Sequence, residues 1–252
     1  MSRLSPEPSP NARILPGQIR ADTILCCGED KAAFVAALRA LGFPGEAVAA
    51  PEFRGYTVWT LPRLTLVLAP IGTGALEPIL NELIDTGRLS RILLVGTAGR
   101  LAARPLPLGV GYAITEAHLS GTGLDRELAG RLLRPHWPEP VDVPGASIVS
   151  SDFYYGFAPA RRPGDYRHRL AGLRQDFENL SPRVDLVDME VAQFYALCHL
   201  IPDEPGLRYL AIKGASNAVE NHAEQNDHAP AVLLDCLRRA LTLLGHAGRV
   251  PA

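Results

Sequence analysis

The chain has 252 residues, 47% of them hydrophobic, and a formal net charge of −2 at pH 7. This length and apolar content are sufficient for one domain with a large hydrophobic core. The near-neutral charge, without a basic stripe, argues against nucleic-acid binding, and no apolar stretch approaches the roughly 20 residues that span a bilayer.

The N-terminal segment and the cysteines indicate a cytoplasmic protein. Residues 1–20 are polar and Pro-rich and lack the apolar core of a signal peptide, so we expect a flexible leader followed by one domain over residues 21–252. The four cysteines fit neither a disulfide framework nor a metal-ligand spacing. We expect all of them to be reduced core residues: Cys26, Cys27, Cys198 and Cys236.

Apolar runs alternate with helical patterns along the chain. Strands are predicted at residues 24–27, 56–61, 64–69, 92–95, 110–115, 146–149, 184–187 and 207–212, the second and third forming a hairpin. Helices are predicted at residues 32–41, 76–86, 126–133, after Glu190, and at 232–244, with a surface loop at 158–169. This alternation indicates an α/β domain with a parallel or mixed sheet.

Small or polar residues follow four of these strands, at Gly28, Gly72 to Gly74, Gly96 to Gly99 and Ser216-Asn217. Open α/β sheets bind ligands at the carboxyl ends of their strands, so these residues are expected to converge at one edge. Glu190 stands where another strand passes into a helix. Its carboxylate is either a ligand contact at that edge or an acid that complements the helix dipole, and the residues alone leave both open.

Other patterns limit the chemistry. The segment Gly96-Thr97-Ala98-Gly99 offers backbone N–H groups and a hydroxyl to an anion or a ribose oxygen, or is a structural turn. It has neither the P-loop nor the dinucleotide spacing. Phe153 and Tyr154 could stack on a planar base or belong to the core or a lid. The seven histidines show no metal-ligand spacing, and the Gly-x-Ser-x-Gly motif is absent.

Taken together, these segments resemble motifs of the nucleoside phosphorylase superfamily over residues 23–244, in the same order. That superfamily includes hexameric purine nucleoside and uridine phosphorylases and methylthioadenosine/adenosylhomocysteine nucleosidases. The matching segments are Gly28-Glu29-Asp30 (a phosphate loop), Gly72-Thr73-Gly74, Gly96-Thr97-Ala98-Gly99, Leu108-Gly109-Val110-Gly111 (similar to "VGD"), Ser150-Ser151-Asp152-Phe153-Tyr154-Tyr155 (similar to "SSDTFY"), Val187-Asp188-Met189-Glu190 (similar to "VEME") and Ala215-Ser216-Asn217 (similar to an "SD" turn).

The resemblance implies a three-layer α/β/α fold with a central mixed sheet, and cleavage of a nucleoside N-glycosidic bond. It implies that Glu190 accepts hydrogen bonds from the ribose 2′- and 3′-hydroxyls, that Met189 packs on the sugar, and that Asn217 faces the base. Its remaining implied substrate contacts are Gly28, Arg54, Thr73, Thr97, Phe153, Tyr154, Asp188 and Ser216. No metal or organic cofactor is implied, with phosphate as a possible co-substrate, and the expected assembly is a homo-oligomer (dimer or hexamer).

The chain departs from the superfamily pattern at three places. Asn217 replaces an aspartate that protonates the purine, and an amide donates a hydrogen bond but transfers no proton. Ala32 and Leu94 align with phosphate-binding arginines, although Arg54 or Lys31 could replace them. The uracil-reading residues align near Ala158 and Ala160, unless Arg161 or Arg162 shifts into register.

These departures favour hydrolysis of a purine nucleoside or a related nucleoside, with a 6-oxopurine as one candidate base because its N7 charge needs only a hydrogen bond. Phosphorolysis and a non-catalytic nucleoside-binding descendant are the alternatives.

Overall fold

The computed structural model describes residues 14–43, 55–121, 128, 132–157, 170–201, 206–221 and 225–246. Within these residues the chain forms an eight-stranded mixed sheet and five α-helices. The strands are β1 (Asp22–Cys27), β2 (Thr57–Thr60), β3 (Leu64–Ala69), β4 (Arg91–Arg100), β5 (Gly111–Ser120), β6 (Gly145–Ser151), β7 (Leu186–Asp188) and β8 (Arg208–Ala218). The helices are α1 (Lys31–Ala40), α2 (Thr73–Asp85), α3 (Ala171–Leu180), α4 (Val191–Leu200) and α5 (Gln225–Leu243).

The sheet is partly closed on itself. Its strand order is β2-β3-β1-β4-β7-β6-β5-β8, and β8 also pairs with β4, so the last five strands form a ring. β1 runs parallel to β3 and β4, whereas β7 runs antiparallel to β4 and β5 antiparallel to β8. The predicted central mixed sheet and the hairpin of β2 and β3 are confirmed. The ring closure has no counterpart among the predictions.

Helices cover both faces of the sheet, as the three-layer prediction requires. On one face, Leu80 of α2 and Phe194 of α4 belong to one buried cluster. On the other face, Phe34 of α1 and Leu237 of α5 belong to a second. Apolar side chains on strands buried from both sides stabilise each layer by about 25 cal/mol for every Å² removed from water.

Two predicted turns are strand instead. Gly96-Thr97-Ala98-Gly99 lies inside β4, and Ser216-Asn217 lies inside β8. The reason is that β4 and β8 pair in parallel along their whole lengths, with one register shift between Ala98 and Gly99. This ladder satisfies the backbone groups that a turn would have left open.

All four cysteines are free and buried, as predicted. Of the 1–20 segment, the described part packs on the body of the protein, because Ile14 and Ile19 are buried in the core. The loop at 158–169 and most of the helix at 126–133 lie outside the described residues, and Leu133 instead bridges to Ala117. No helix in the described part of the chain is long and apolar enough to cross a membrane.

Candidate active site

A cavity of about 290 Å³ opens where β1, β4, β7 and β8 carry their polar residues. Eight of the predicted site residues line it: Gly28, Thr97, Tyr154, Asp188, Met189, Glu190, Ser216 and Asn217. The remaining lining residues are Cys27, Glu29, Ile71, Ala98, Asp152 and Tyr155. The predicted convergence at one edge of the sheet is therefore what the structure shows.

Glu190 is held by contacts to both of its carboxylate oxygens. The residue is 3% exposed at the junction of β7 and α4. Its Oε1 accepts a hydrogen bond of 2.9 Å from the backbone N–H of Gly72, which sits at φ +96° at the start of α2. Its Oε2 accepts one of 3.1 Å from Nζ of Lys213. Glu190 is therefore a buried, oriented acceptor and not a solvated helix-end acid.

Lys213 supplies the positive charge for two carboxylates. It lies in β8, is 1% exposed, and places Nζ 3.1 Å from Oδ2 of Asp188 and 3.1 Å from Oε2 of Glu190. Asp188 also accepts a hydrogen bond of 2.5 Å from Ser150, whose oxygen in turn accepts the N–H of Ala192. Buried charges require such pairing, because taking an unpaired ion out of water costs several kcal/mol.

The ionisation of this group follows from its burial. Desolvation raises the pKa of Glu190, Lys213 opposes that rise, and the nearby Asp188 adds to it, which leaves the pKa above its ordinary value. Burial alone would lower the pKa of Lys213, but Glu190 and Asp188 raise it well above its ordinary value. The lysine is therefore charged at neutral pH.

The Glu29 carboxylate accepts a hydrogen bond from the backbone N–H of Thr97, a donor that the sequence suggested for an anion. Glu29 follows β1 and Gly28 (φ +75°), and its Oε1 accepts a hydrogen bond of 2.6 Å from the N–H of Thr97. A Cβ on Gly96 would come within 3.2 Å of that oxygen and 3.3 Å of Nζ of Lys213. Glycine at position 96 therefore provides the space in which the carboxylate and the ammonium approach the strand.

Asn217, Tyr154 and Ser216 form the part of the cavity expected to face the base. Asn217 is 1% exposed; its amide donates to the carbonyl of Ala218 (2.8 Å) and its Oδ1 accepts from Ser216 (3.0 Å). The Tyr154 hydroxyl also hydrogen-bonds to the Asn217 side chain. Burial raises the pKa of Tyr154 to about 12, so this hydroxyl stays protonated at neutral pH. The tyrosine hydroxyl fits only because residue 99 is glycine, since a Cβ there would lie 2.3 Å from it.

Three predicted contacts stand apart from the cavity wall. Thr73 donates a hydrogen bond of 2.7 Å to Oδ1 of Asp152, and only the aspartate lines the cavity. Phe153 is 39% exposed and its ring lies against Gly121, outside the described cavity lining. Arg54 lies outside the described residues.

Glu29 and Lys213 were not predicted as site residues. The signal for Lys213 was present, because a lysine that continues the apolar run at residues 207–212 must find a buried carboxylate. Glu29 belongs to the segment that resembles a phosphate loop, but nothing in the sequence distinguished it from a solvated acid before a helix.

Comparisons with known proteins identify the fold. By sequence, neither a family model nor a curated protein matches the chain. By structure it is similar to a 5′-methylthioadenosine/S-adenosylhomocysteine nucleosidase of Colwellia psychrerythraea in complex with adenine (TM-score 0.64, 18% identity, 92% of this chain and 99% of that one). It is also similar to a purine nucleoside phosphorylase of Toxoplasma gondii in complex with immucillin-H (0.65, 16%, 98% and 98%). A third similar structure is the Helicobacter pylori nucleosidase (0.66, 12%, 90% and 99%).

The chain therefore has the fold of the nucleosidases and nucleoside phosphorylases, as its motifs predicted. At these identities the likeness concerns the fold, and the activity has to be argued from the cavity itself.

Proposed function

We propose that this protein hydrolyses the N-glycosidic bond of a purine nucleoside. The observation that carries the proposal is the Glu29 carboxylate on the Thr97 N–H, inside a cavity that also contains an oriented buried carboxylate, Glu190. The fold is shared with enzymes and supports this class of reaction, while water as the nucleophile is argued from the charges of the cavity.

The sugar would be bound by Glu190. Each carboxylate oxygen has two lone pairs, so Oε1 and Oε2 can accept ribose hydroxyls while keeping their bonds to Gly72 and Lys213. Met189, which also lines the cavity, would pack on the sugar. Because glycosidic cleavage passes through an oxocarbenium-like sugar, nearby negative charge stabilises the transition state more than the ground state.

The charge of the cavity favours water over phosphate. Four carboxylates line it, those of Glu29, Asp152, Asp188 and Glu190, and no arginine is among the described lining residues. A phosphate dianion would meet like charge and would find the Thr97 N–H already used by Glu29. An uncharged water molecule meets no such repulsion.

Glu29 would act as the general base. In the proposed step, the water oxygen bonds to C1′ of the sugar while the bond from C1′ to the base nitrogen breaks. The bonding electron pair leaves with the base, and the water proton passes to the Glu29 carboxylate. The departing base takes a proton from solvent, because Asn217 has none to transfer.

Asn217 would select the base. Its amide and the Tyr154 hydroxyl are neutral groups that can hold a base nitrogen or oxygen by hydrogen bonds without protonating it. A 6-oxopurine leaves as a delocalised anion and needs only such bonds, whereas a 6-aminopurine benefits from an acid. We therefore propose inosine-type and guanosine-type nucleosides as the preferred substrates.

The second candidate is a non-catalytic nucleoside-binding protein, and Asn217 is the observation that favours it. An amide in place of an acid keeps a hydrogen bond to the base and removes proton transfer. In that case the sugar contacts of Glu190 would serve binding alone.

We also propose a homo-oligomer in which a second copy covers the cavity mouth. Ile71 and Tyr155 both line the cavity and are 61% and 62% exposed, a large exposure for two bulky side chains at one cavity. Sedimentation should show a dimer or larger assembly, and a monomer at micromolar concentration would remove this part of the proposal.

A nucleoside panel tests the activity. Inosine, guanosine, adenosine, methylthioadenosine and uridine are each incubated with the protein, with and without phosphate, and base release is followed by chromatography. Release without phosphate supports the hydrolase, release that requires phosphate contradicts it, and binding without release supports the second candidate. Glu190→Ala is the negative control because it removes the sugar contact.

A further inference from the structure

The buried lysine of β8 joins two carboxylates that would otherwise repel each other. Asp188 and Glu190 are two positions apart in the chain, and both are buried (3% exposed each). Nζ of Lys213 lies 3.1 Å from an oxygen of each. The proposed reaction uses Glu190 and gives no role to Lys213.

We propose that Lys213 is a positioning residue, whose ammonium group holds the Glu190 carboxylate ionised and in one orientation toward the cavity. This inference rests on the proposed function only for the identity of the ligand that Glu190 binds. The ammonium would not itself contact the ligand, since Lys213 is outside the described cavity lining.

Two hydrogen bonds, one to each oxygen, fix the orientation of the Glu190 carboxylate. The Gly72 N–H donates to Oε1 at 2.9 Å, and Nζ of Lys213 donates to the other oxygen, Oε2, at 3.1 Å. Loss of the lysine leaves the carboxylate with one fixed oxygen, so the group can rotate. Arginine at this position would keep a charged donor, with a different geometry.

The ionised state depends on the charges that surround Glu190. Lys213 from β8 is the cation next to it, and Asp188 from β7 is the nearest like charge. Cys27 from β1 is a neutral thiol whose pKa is raised well above its ordinary value by burial. Glu29, Asp152 and Tyr154 line the same cavity, and the tyrosine is neutral. Without the lysine, burial and Asp188 both favour protonated Glu190.

Loss of Lys213 should raise the pKa of Glu190. An opposite charge within 4–6 Å lowers the pKa of a carboxyl by about 1–3 units. Its removal should raise the protonation midpoint of Glu190 by about 1–3 pH units. Removal of Asp188 should act in the opposite direction, because a like charge disappears.

The test is a ¹³C NMR titration of the protein labelled at the glutamate side-chain carboxyl, with the Glu190 signal assigned by its absence in Glu190→Gln. The midpoint should rise by at least about one pH unit in Lys213→Met and stay within about half a unit in Lys213→Arg. It should fall in Asp188→Asn. Lys31→Met, at the only other lysine of the chain, is the matched control and should leave the midpoint unchanged.

An unchanged midpoint in Lys213→Met or in Asp188→Asn overturns the proposal. If Lys213→Met does not fold, as judged by circular dichroism, then Asp188→Asn and Lys213→Arg decide the question. The NMR titration needs no turnover, so its result does not depend on whether the protein hydrolyses a nucleoside. Where wild type cleaves a nucleoside, the acidic limb of its kcat/KM profile should move up with the NMR midpoint in Lys213→Met, with activity recovered at higher pH.

Discussion

The carboxylate of Glu29 accepts a hydrogen bond of 2.6 Å from the backbone N–H of Thr97, across 68 positions of the chain. This contact joins the segment after β1 to β4, and both residues line the cavity. It places an acidic side chain on a backbone donor that would otherwise suit an anion, and in the proposed function this carboxylate activates water. The proposed hydrolysis depends on this contact.

Glu29→Gln should remove the proposed general base with little change to the fold. The glutamine carbonyl can still accept the Thr97 N–H, but the amide cannot take a proton from water. We expect kcat to fall about 10²- to 10⁴-fold, the usual contribution of a general base, with KM little changed. Steady-state kinetics measures both values.

The control for that substitution is Glu116→Gln. Glu116 is partly exposed and pairs with Arg134 away from the cavity, and its loss should leave kcat unchanged. Wild-type turnover in Glu29→Gln would remove Glu29 from the mechanism.

Asn217→Asp should extend the activity to 6-aminopurine nucleosides. A carboxyl at this buried position, near Asp188 and Glu190, should have a raised pKa and be able to protonate the base. We expect kcat/KM for adenosine to rise at least about tenfold relative to inosine, since a positioned acid contributes about 10²–10⁴. Parallel assays with the two nucleosides give the ratio, and a ratio equal to that of wild type would exclude position 217 as the determinant of the base.

Gly99→Ala should displace Tyr154. The added Cβ would lie 2.3 Å from the tyrosine hydroxyl and 3.3 Å from Cγ1 of Val187, and overpacking of this kind costs about 1–3 kcal/mol. We expect a lower midpoint of thermal unfolding and a kcat/KM reduced by about tenfold or more.

The double variant Gly99→Ala/Tyr154→Phe tests whether the clash with the Tyr154 hydroxyl causes the loss of stability. Removal of the hydroxyl relieves the shortest contact, so the double variant should be more stable than Gly99→Ala alone. Equal or lower stability of the double variant would show that Tyr154 is not what the alanine displaces.

Tyr195→Phe should destabilise the ring of strands without touching the cavity. The Tyr195 hydroxyl donates to the carbonyl of Ile114 in β5 (2.6 Å) and accepts the N–H of Ala211 in β8 (3.0 Å). Its loss removes one hydrogen-bond partner from each of these two buried backbone groups, at a cost of about 1–3 kcal/mol. Urea denaturation measures the change in the free energy of unfolding. Unchanged stability of Tyr195→Phe would contradict this role of Tyr195.

The convergence of the site residues at the carboxyl ends of the strands was predictable, because it depends on local sequence signals. The turn at Gly72 and the strand-to-helix junction at Glu190 are each visible in a few residues, and the α/β alternation places them at one edge. The contact of Glu190 with Lys213 was not predictable in this way. It depends on the pairing of β4 with both β7 and β8, and thus on the closure of the ring.

The same closure explains the extended backbone at Gly96 to Gly99. A glycine-rich segment after a short apolar run has the composition of a turn, and pairing with β8, joined by β7 at Gly99, keeps it extended. The hydrogen bond between Glu29 and Thr97 also depends on this pairing, because the Thr97 N–H is oriented by the strand and not by a turn. The contacts that depend on long-range strand pairing were the ones that the sequence did not reveal.

The most direct test of hydrolysis is the identity of the sugar product formed from inosine in the presence of millimolar phosphate. Mass spectrometry distinguishes free ribose from ribose 1-phosphate in the same sample. The charges around Glu29 and Glu190 predict free ribose, at a rate that phosphate does not increase. Ribose 1-phosphate as the main product would contradict the proposed hydrolysis.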